Sequence, residues 1–322
     1  MAALEEQLTK YLTDVHSIEQ QALAQMRVAP ELAEDPQIAE AFSRHCHETI
    51  EHERAVRERL EARGAKPAVL KDMLGTLTGK GFTMFARAQP DTPGKLVVHA
   101  FSYEHMELAA HEMLTHVAEL AGDAETVAAA REIGAQEDAM AARLAGLFDR
   151  AVDASLREVA HDELADRLDS YLADAHAIEA QSLQLLGKAP KHAGTEQLAQ
   201  VYAEHRAETE RQQQRLDELL NERDGGPSRL KDAALALGGL NWGVFFQAQP
   251  DTPAKLAAFA YAFEHLEIAA YELLARVARR AGEAEAERLA TETLREERAA
   301  AERLHGLFVP ALEASLPTTT TA

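Results

Sequence analysis

Residues 104–110 read EHMELAA, and residues 264–270 read EHLEIAA, 160 positions further along the chain. The same shift repeats the segment AQPDTP of residues 88–93. Extended without a gap, the shift aligns residues 8–148 with residues 168–308, and 59 of these 141 positions are identical by direct count. A long period that occurs only twice indicates a duplicated domain of about 150 residues, because a solenoid would repeat a shorter unit more often.

The duplication predicts how the chain is divided. We expect one domain at residues 1–153, a second at residues 154–316, and a disordered tail, PTTTTA, at residues 317–322. Residues 151–165 contain no glycine or proline and are compatible with a helix, so the junction is predicted to be short and stiff.

The composition of the 322 residues argues against several classes of protein. With 33 Lys and Arg against 54 Asp and Glu, the formal net charge is −21, which disfavours binding to nucleic acid and to anionic membranes. No apolar run approaches the roughly 18 residues of a membrane helix, and the N-terminal residues lack a signal-peptide pattern, so a cytoplasmic location is expected. The single cysteine, Cys46, excludes a disulfide within the chain.

An all-α fold is predicted for both halves, because aromatic residues make up only 5% and no stretch alternates with period two. The first half is predicted to form helices at residues 4–27, 36–63, 93–121 and 124–153, and the second half repeats them. Asp35-Pro36 is a helix-start signal, and Gly122 separates the last two helices. The long connection at residues 64–92 predicts a four-helix bundle with a crossover segment between its second and third helices.

Charged and histidine side chains interrupt the inward stripe of each predicted helix, meaning the residues that face the bundle interior. On the first helix the stripe advances by four and three residues in turn, through Leu8, Leu12, Val15, Glu19, Ala22 and Met26. The interrupting residues of the first half are Glu19, His45, Glu48, Glu104, Glu107 and Glu137. Their counterparts in the second half are Glu179, His205, Glu208, Glu264, Glu267 and Glu297.

These buried acids need compensation. An ionised carboxylate inside a bundle costs several kcal/mol, and five in one bundle also repel one another when no Lys or Arg shares their stripes. A pair of divalent cations removes both costs, since carboxylate and imidazole are ligands for iron, manganese and zinc. The alternative places the glutamates at stripe edges, facing water. Their mid-stripe positions, kept in both halves, favour a metal site.

The motifs on these helices resemble a known family. They are YLTD at residues 11–14, EQQ at 19–21, HCHET at 45–49, EHMELAA at 104–110 and ED at 137–138. In these motifs the chain resembles the ferritin-like superfamily. Within that superfamily it is most similar to the bacterial YciE/YciF stress-associated group, and the similarity covers essentially the whole of each half. The most specific element, EHxExAAY, is unbroken at residues 264–271. The resemblance implies two tandem ferritin-like bundles.

The resemblance also implies a dinuclear centre in each bundle, with two ions of iron or manganese, and with zinc as a further candidate. The implied ligand roles are bridging for Glu48 and Glu107, terminal for Glu19 and Glu137, and completing the set for His45 and Glu104. The general ferritin-like pattern has Glu-x-x-His on two helices. Neither half has that motif at the matching place, so rapid oxygen chemistry is less expected than metal binding.

Two functions of different classes follow. The first is a metal-binding protein whose centres handle dioxygen, peroxide or the metal itself under stress, with oxidase, peroxidase or ferroxidase-type activity. The alternative is a non-catalytic helical scaffold or stress-interaction protein with a vestigial site. Two further histidines, His52 and His111, correspond to Gln212 and Tyr271 in the second half, so a ligand role is not expected for them.

The duplication predicts that the two domains pair within the chain about a pseudo-twofold axis, with a homo-oligomer as an alternative assembly. The apolar crossover segments, residues 69–85 and 230–246, are the candidate pairing surface. The competing interpretation is that each segment only caps its own bundle.

Overall fold

The computed structural model describes residues 2–65, 92–223 and 253–316, which contain α-helices and short 3₁₀ turns but no strand. The predicted all-α fold is therefore confirmed. The helices of the first half are α1 (Ala2–Met26), α2 (Ala29–Leu32), α3 (Pro36–Ala62), α4 (Thr92–Ala121), α5 (Ala124–Ala145) and α6 (Phe148–Ser155).

The second half repeats this order, with a 3₁₀ turn at Ala189–Lys191 in the position of the short α2. Its helices are α7 (Leu164–Lys188), α8 (Glu196–Glu222), α9 (Pro253–Ala281), α10 (Ala284–His305) and α11 (Phe308–Ser315). Residues 156–160 are not helical, so the junction is not the continuous helix that residues 151–165 would allow. The predicted tail at residues 317–322 lies outside the described residues.

Each half is a bundle of four long helices. In the first half α1 packs against α3 and α4, and α5 closes the ring by packing against the same two helices. In the second half α7, α8, α9 and α10 pack in the corresponding way. The prediction of two helical bundles in tandem is thus confirmed.

The directions of the helices explain the long connection. Arg63, just after α3, forms ion pairs with Glu5 near the start of α1 and with Asp123 before α5. His99 near the start of α4 is hydrogen-bonded to Gln25 near the end of α1 (3.1 Å). Because α1 is antiparallel to both α3 and α4, those two helices point the same way, as a crossover connection requires. The predicted crossover segments, residues 69–85 and 230–246, lie outside the described residues.

Local signals set the helix ends. The Asp35 side chain accepts hydrogen bonds from the backbone N–H groups of Gln37 and Ile38, which confirms the predicted start of α3. Gly122 has a φ of 72° and separates α4 from α5. Glycine adopts this left-handed conformation without the steric cost of a Cβ atom, so it ends the helix cleanly.

The prediction of one helix over residues 124–153 is wrong. That segment forms two helices, α5 and α6, separated by a turn at Gly146 and Leu147. Glycine is a poor helix former, and the turn lets Phe148 pack against α4, where its ring lies 5.4 Å from the ring of Phe101. The equivalent turn at Gly306 separates α10 from α11.

The two halves contact each other through α4 and α9, and residues that the repeat relates meet there. The Ser102 hydroxyl donates a hydrogen bond to the carbonyl oxygen of Ala262 (2.7 Å). The imidazole rings of His105 and His265 are stacked with their centroids 3.5 Å apart. Two equivalent ion pairs flank this stack: Lys95 with Asp174 (3.0 Å) and Lys255 with Asp14 (2.5 Å).

Helix α4 is consequently buried all round. Every residue from 96 to 107 is buried, because α1, α5 and α9 each cover one side of the helix. Within residues 2–65, 92–223 and 253–316, no helix combines the length and the hydropathy of a membrane-crossing segment.

We expect the fragment of residues 1–157 to self-associate when it is expressed alone, because the α4 face that normally contacts α9 would be exposed to water. Light scattering or sedimentation measures its mass. Ser102→Arg places a charge on that face and should keep the fragment monomeric at equal helical content. An unmodified fragment that stays monomeric at micromolar concentrations would contradict this prediction.

Candidate metal centres

The inward stripes of α1, α4 and α5 are buried as predicted, including their acidic members. On α1 the apolar neighbours of Glu19 are fully buried with it, and on α5 the same holds for Glu137; both carboxylates are 0% exposed. Glu104 and Glu107 are buried between Val97 and the later turns of α4. The regular packing of four helices therefore directs carboxylates from three of them toward one point in the bundle.

One group of metal-ligating side chains lies between α3, α4 and α5 in the first half. Each of its members offers a donor atom, and these atoms all lie within 4.8 Å of one another. Nε2 of His45 is 3.2 Å from Oε2 of Glu104 and 3.3 Å from Oε2 of Glu137. We call this group, which also includes Glu107, the first subsite.

A second group shares Glu137 with the first. Nδ1 of His52 lies 2.7 Å from Oε1 of Glu137 and 3.8 Å from Oε2 of Glu19. The other oxygen of Glu19, Oε1, is hydrogen-bonded to Nε2 of His111 (2.7 Å). We call Glu19, His52 and Glu137 the second subsite; its three donor atoms also lie within 4.8 Å of one another.

The structure places Glu48 at the edge of the first subsite, outside the four-residue group. Its side chain is 25% exposed and forms ion pairs with Arg44 (3.3 Å) and Arg143 (3.9 Å). Its Oε2 is 3.1 Å from Nδ1 of His45, which leaves Nε2 facing the buried carboxylates. Such an outer hydrogen bond fixes the orientation and the tautomer of a ligating histidine.

His52 is held in the same way. The amide oxygen of Gln136 accepts a hydrogen bond from Nε2 of His52 (2.8 Å), so that Nδ1 faces Glu137. Each of the two histidines therefore directs one nitrogen into the cluster and uses the other for a positioning contact.

Sequence reasoning set His52 and His111 aside because the second half has other residues at those positions. The spacing of the inward stripe, in steps of four and three residues, does identify both histidines. On α3 the alternation of four and three continues from His45 through Thr49 and His52, which are both buried, and misses Glu48 by one residue. On α4 the same alternation leads from Glu107 to His111.

The second half brings a smaller group together. His205, Glu264 and Glu297 offer donor atoms within 4.8 Å of one another, and Nε2 of His205 is 2.8 Å from Oε1 of Glu264. Glu208 occupies the place of Glu48, with its Oε2 3.4 Å from Nδ1 of His205. Glu267 is buried beside this group.

Glu179 and its counterpart Glu19 have different hydrogen-bond partners. The Tyr271 hydroxyl donates a hydrogen bond to Oε1 of Glu179 (2.5 Å). The predicted site residues are thus buried in both bundles, with the exception of Glu48 and Glu208, whose side chains are partly exposed.

Burial and mutual charge shift the titration of these groups. Burial raises the pKa of Glu104 to about 8, although the facing His45 lowers it. Burial, reinforced by Glu137, raises the pKa of Glu107 well above 4.5. Burial also acts to raise the pKa of Glu137, but the hydrogen bond from His52 and the charge of His45 outweigh it and lower the pKa. Burial acts to lower the pKa of both histidines, yet the facing carboxylates raise it to about 10 for His45 and about 9 for His52.

The donor set fits a divalent cation. Glu107 is 1% exposed, and neither of its carboxylate oxygens has a hydrogen-bond partner among the described residues. A buried acceptor without a partner is costly, and a cation with carboxylate and imidazole ligands satisfies it. The same reasoning applies to Glu297 in the second half, which is 1% exposed and also lacks hydrogen-bond partners among the described residues.

The fold and these clusters define a duplicated four-helix-bundle protein with buried carboxylate–histidine groups that can hold metal ions. The chain matches the family described as "Domain of unknown function (DUF892)" twice, at residues 3–157 and 163–316, and therefore belongs to it. It is also similar to "Protein YciF" of Escherichia coli (strain K12), with 32% identity over 144 residues, which are 43% of this chain and 86% of that protein. The resemblance to the YciE/YciF group is confirmed. No solved structure matches the chain.

We expect the metal-free chain to become less stable as the pH rises from about 6.5 to 8.5, by about 1.4 kcal/mol per pH unit for each proton that only the folded state holds. Burial raises the pKa of Glu104 and Glu179 to about 8, above the 4.5 of a free carboxyl, so the folded chain binds more protons than the unfolded one in this range. The raised pKa of His45 and of His52, relative to 6.5, acts in the same direction.

The lower limit of the range has its own cause. Burial lowers the pKa of His99 and His105 to about 4, so these neutral histidines oppose folding as the pH falls below 6.5. Thermal melting of the chelator-treated chain at the two pH values measures the effect. Equal melting temperatures at both would contradict the buried-carboxylate interpretation.

Proposed function

We propose that this protein binds divalent metal ions in its bundles, and that the centre of the N-terminal half is dinuclear. The observation that carries the proposal is the sharing of Glu137 by both subsites: its Oε2 lies 3.3 Å from Nε2 of His45 and its Oε1 lies 2.7 Å from Nδ1 of His52. One carboxylate with its two oxygens in adjacent ligand groups has the arrangement of a bridging ligand.

This arrangement supports ligand roles that differ from those implied by the resemblance. Glu137 would bridge, where a terminal role was implied for it. Glu107 would complete the first subsite with both of its unpartnered oxygens, and Glu19 would serve the second. Glu48 would act as a positioning residue, because it holds Nδ1 of His45 while remaining partly exposed.

The carboxylate and imidazole donors suit iron, manganese and zinc, and the resemblance to the YciE/YciF group places iron and manganese before zinc. When bound here, iron or manganese supplies redox chemistry with dioxygen or peroxide. The chain's own contribution is to hold the ligands in a buried, water-excluding interior and to keep the ligating nitrogens of His45 and His52 aimed inward. We propose oxygen, peroxide or metal handling under stress as the role; a helical scaffold with a vestigial site is the competing role.

Metal analysis of the full chain tests the proposal. Protein purified from cells grown with both iron and manganese should retain one of them, and chelation should lower its melting temperature. Re-addition of the retained metal at 100 times its dissociation constant should restore about 2.7 kcal/mol of stability per site. A folded chain that contains no metal, and gains no stability from added Fe²⁺ or Mn²⁺, would instead establish the scaffold role.

A substitution at the shared ligand gives a sharper prediction. Glu137→Leu should abolish metal binding in the N-terminal half and leave the stability of the metal-free chain unchanged or higher, because an apolar side chain replaces a buried carboxylate on an apolar stripe. Glu132→Leu, at an exposed position of the same helix, is the matched control and should keep its metal. Bound metal is counted by mass spectrometry, and stability is measured by thermal melting. Retention of N-terminal metal in Glu137→Leu would refute the bridging role.

A further inference from the structure

The two halves are not equivalent at their second subsites. The first subsite of the N-terminal half has a close counterpart in the C-terminal half. Nε2 of His45 lies 3.2 Å from Glu104 on α4, and Nε2 of His205 lies 2.8 Å from the equivalent Glu264 on α9. Around the second subsite, by contrast, several side chains differ between the halves: among them, His52 is replaced by Gln212, His111 by Tyr271, Ala55 by Arg215 and Gln136 by Glu296.

We propose that the halves bind different numbers of iron ions, two in the N-terminal bundle and one in the C-terminal bundle. This inference rests on the proposed metal-binding function and divides it between the halves. The residues that would hold the single C-terminal ion are those of the buried group His205, Glu264 and Glu297.

The replacement of His52 removes an imidazole ligand. Gln212 is buried at the equivalent position, and its side-chain nitrogen donates a hydrogen bond to Oε2 of Glu296 (3.1 Å). An amide oxygen is a neutral donor that suits iron less well than imidazole does. Among the described residues, the second half accordingly has no histidine–carboxylate group that corresponds to Glu19, His52 and Glu137.

The replacement of His111 removes a second imidazole from this subsite. Tyr271 donates its hydroxyl proton to Oε1 of Glu179 at 2.5 Å, so one oxygen of this carboxylate is already satisfied without a cation. In the first half the equivalent oxygen of Glu19 faces Nε2 of His111. The imidazole beside Glu19 is itself a ligand for iron, whereas the Tyr271 hydroxyl engages Oε1 of Glu179 as a hydrogen-bond donor.

Arg215 brings a fixed positive charge to the same place. Its guanidinium group is hydrogen-bonded to Oγ1 of Thr293 (3.2 Å) and paired with Glu296. Thr293 is fully buried on the inward stripe of α10, one turn before Glu297. The Arg215–Glu296 ion pair therefore occupies the side of this subsite where the first half has the uncharged residues Ala55 and Gln136.

Anaerobic loading of the full-length chain with Fe²⁺, followed by desalting and mass-spectrometric counting, tests the inference. Wild type should hold about three ions, Glu297→Leu about two, and Glu137→Leu about one. Equal counts in the two single variants would overturn the inference while leaving the proposed function intact. No iron in the wild type, with its helical content unchanged, would overturn both.

Exchange of the differing residues tests the cause. His52→Gln with His111→Tyr should reduce the wild-type count by one ion, and Gln212→His with Arg215→Ala and Tyr271→His should raise it by one. Helical content measured by circular dichroism verifies folding, and the two leucine variants decide the matter if an exchanged variant unfolds. Unchanged counts in both folded exchange variants would refute the assignment to these residues.

Discussion

The burial of several carboxylates at the centre of a bundle is the constraint on which this structure depends. Glu104, Glu107 and Glu137 are almost completely withdrawn from water, and burial keeps the pKa of the first two high. Such a core is unfavourable unless protons, histidines or metal ions offset its charge. The histidines that face these carboxylates offset part of the negative charge. They form no hydrogen bond with Glu107, whose two carboxylate oxygens have no hydrogen-bond partner among the described residues.

The same helix connects each centre to the other half. On α4, Glu104 faces the interior of its own bundle, while the next residue, His105, stacks on His265 across the pseudo-twofold contact. Adjacent residues of a helix point about 100° apart, so one helix carries the candidate ligands on one face and the pairing surface on another. This double use explains why α4 is buried all round, and it fixes the position of both centres relative to the contact between the halves.

The sequence predicted the parts of this structure that follow from periodicity. The inward stripes of α1 and α5, with Glu19 and Glu137 within them, follow from alternating steps of four and three residues, and Asp35 identified the start of α3. The turn at Gly146 was missed because an apolar stripe continues through it to Leu147. His52 was missed for a different reason: identity between the halves served as the criterion for a functional residue, and it rejected a buried histidine that lies on the stripe.

That error shows what a duplication reveals. Positions that agree between the halves identify a shared requirement, here the burial of carboxylates, whereas positions that differ show how each half meets it. Next to Glu19 the first half uses His111, whose Nε2 faces the carboxylate. Next to Glu179 the second half uses the hydroxyl of Tyr271, with Arg215 nearby. Under the proposed function, the first half offers imidazole ligands where the second half has an amide and a hydrogen-bonding phenol, so similar folds with the same buried acids need not hold the same number of ions.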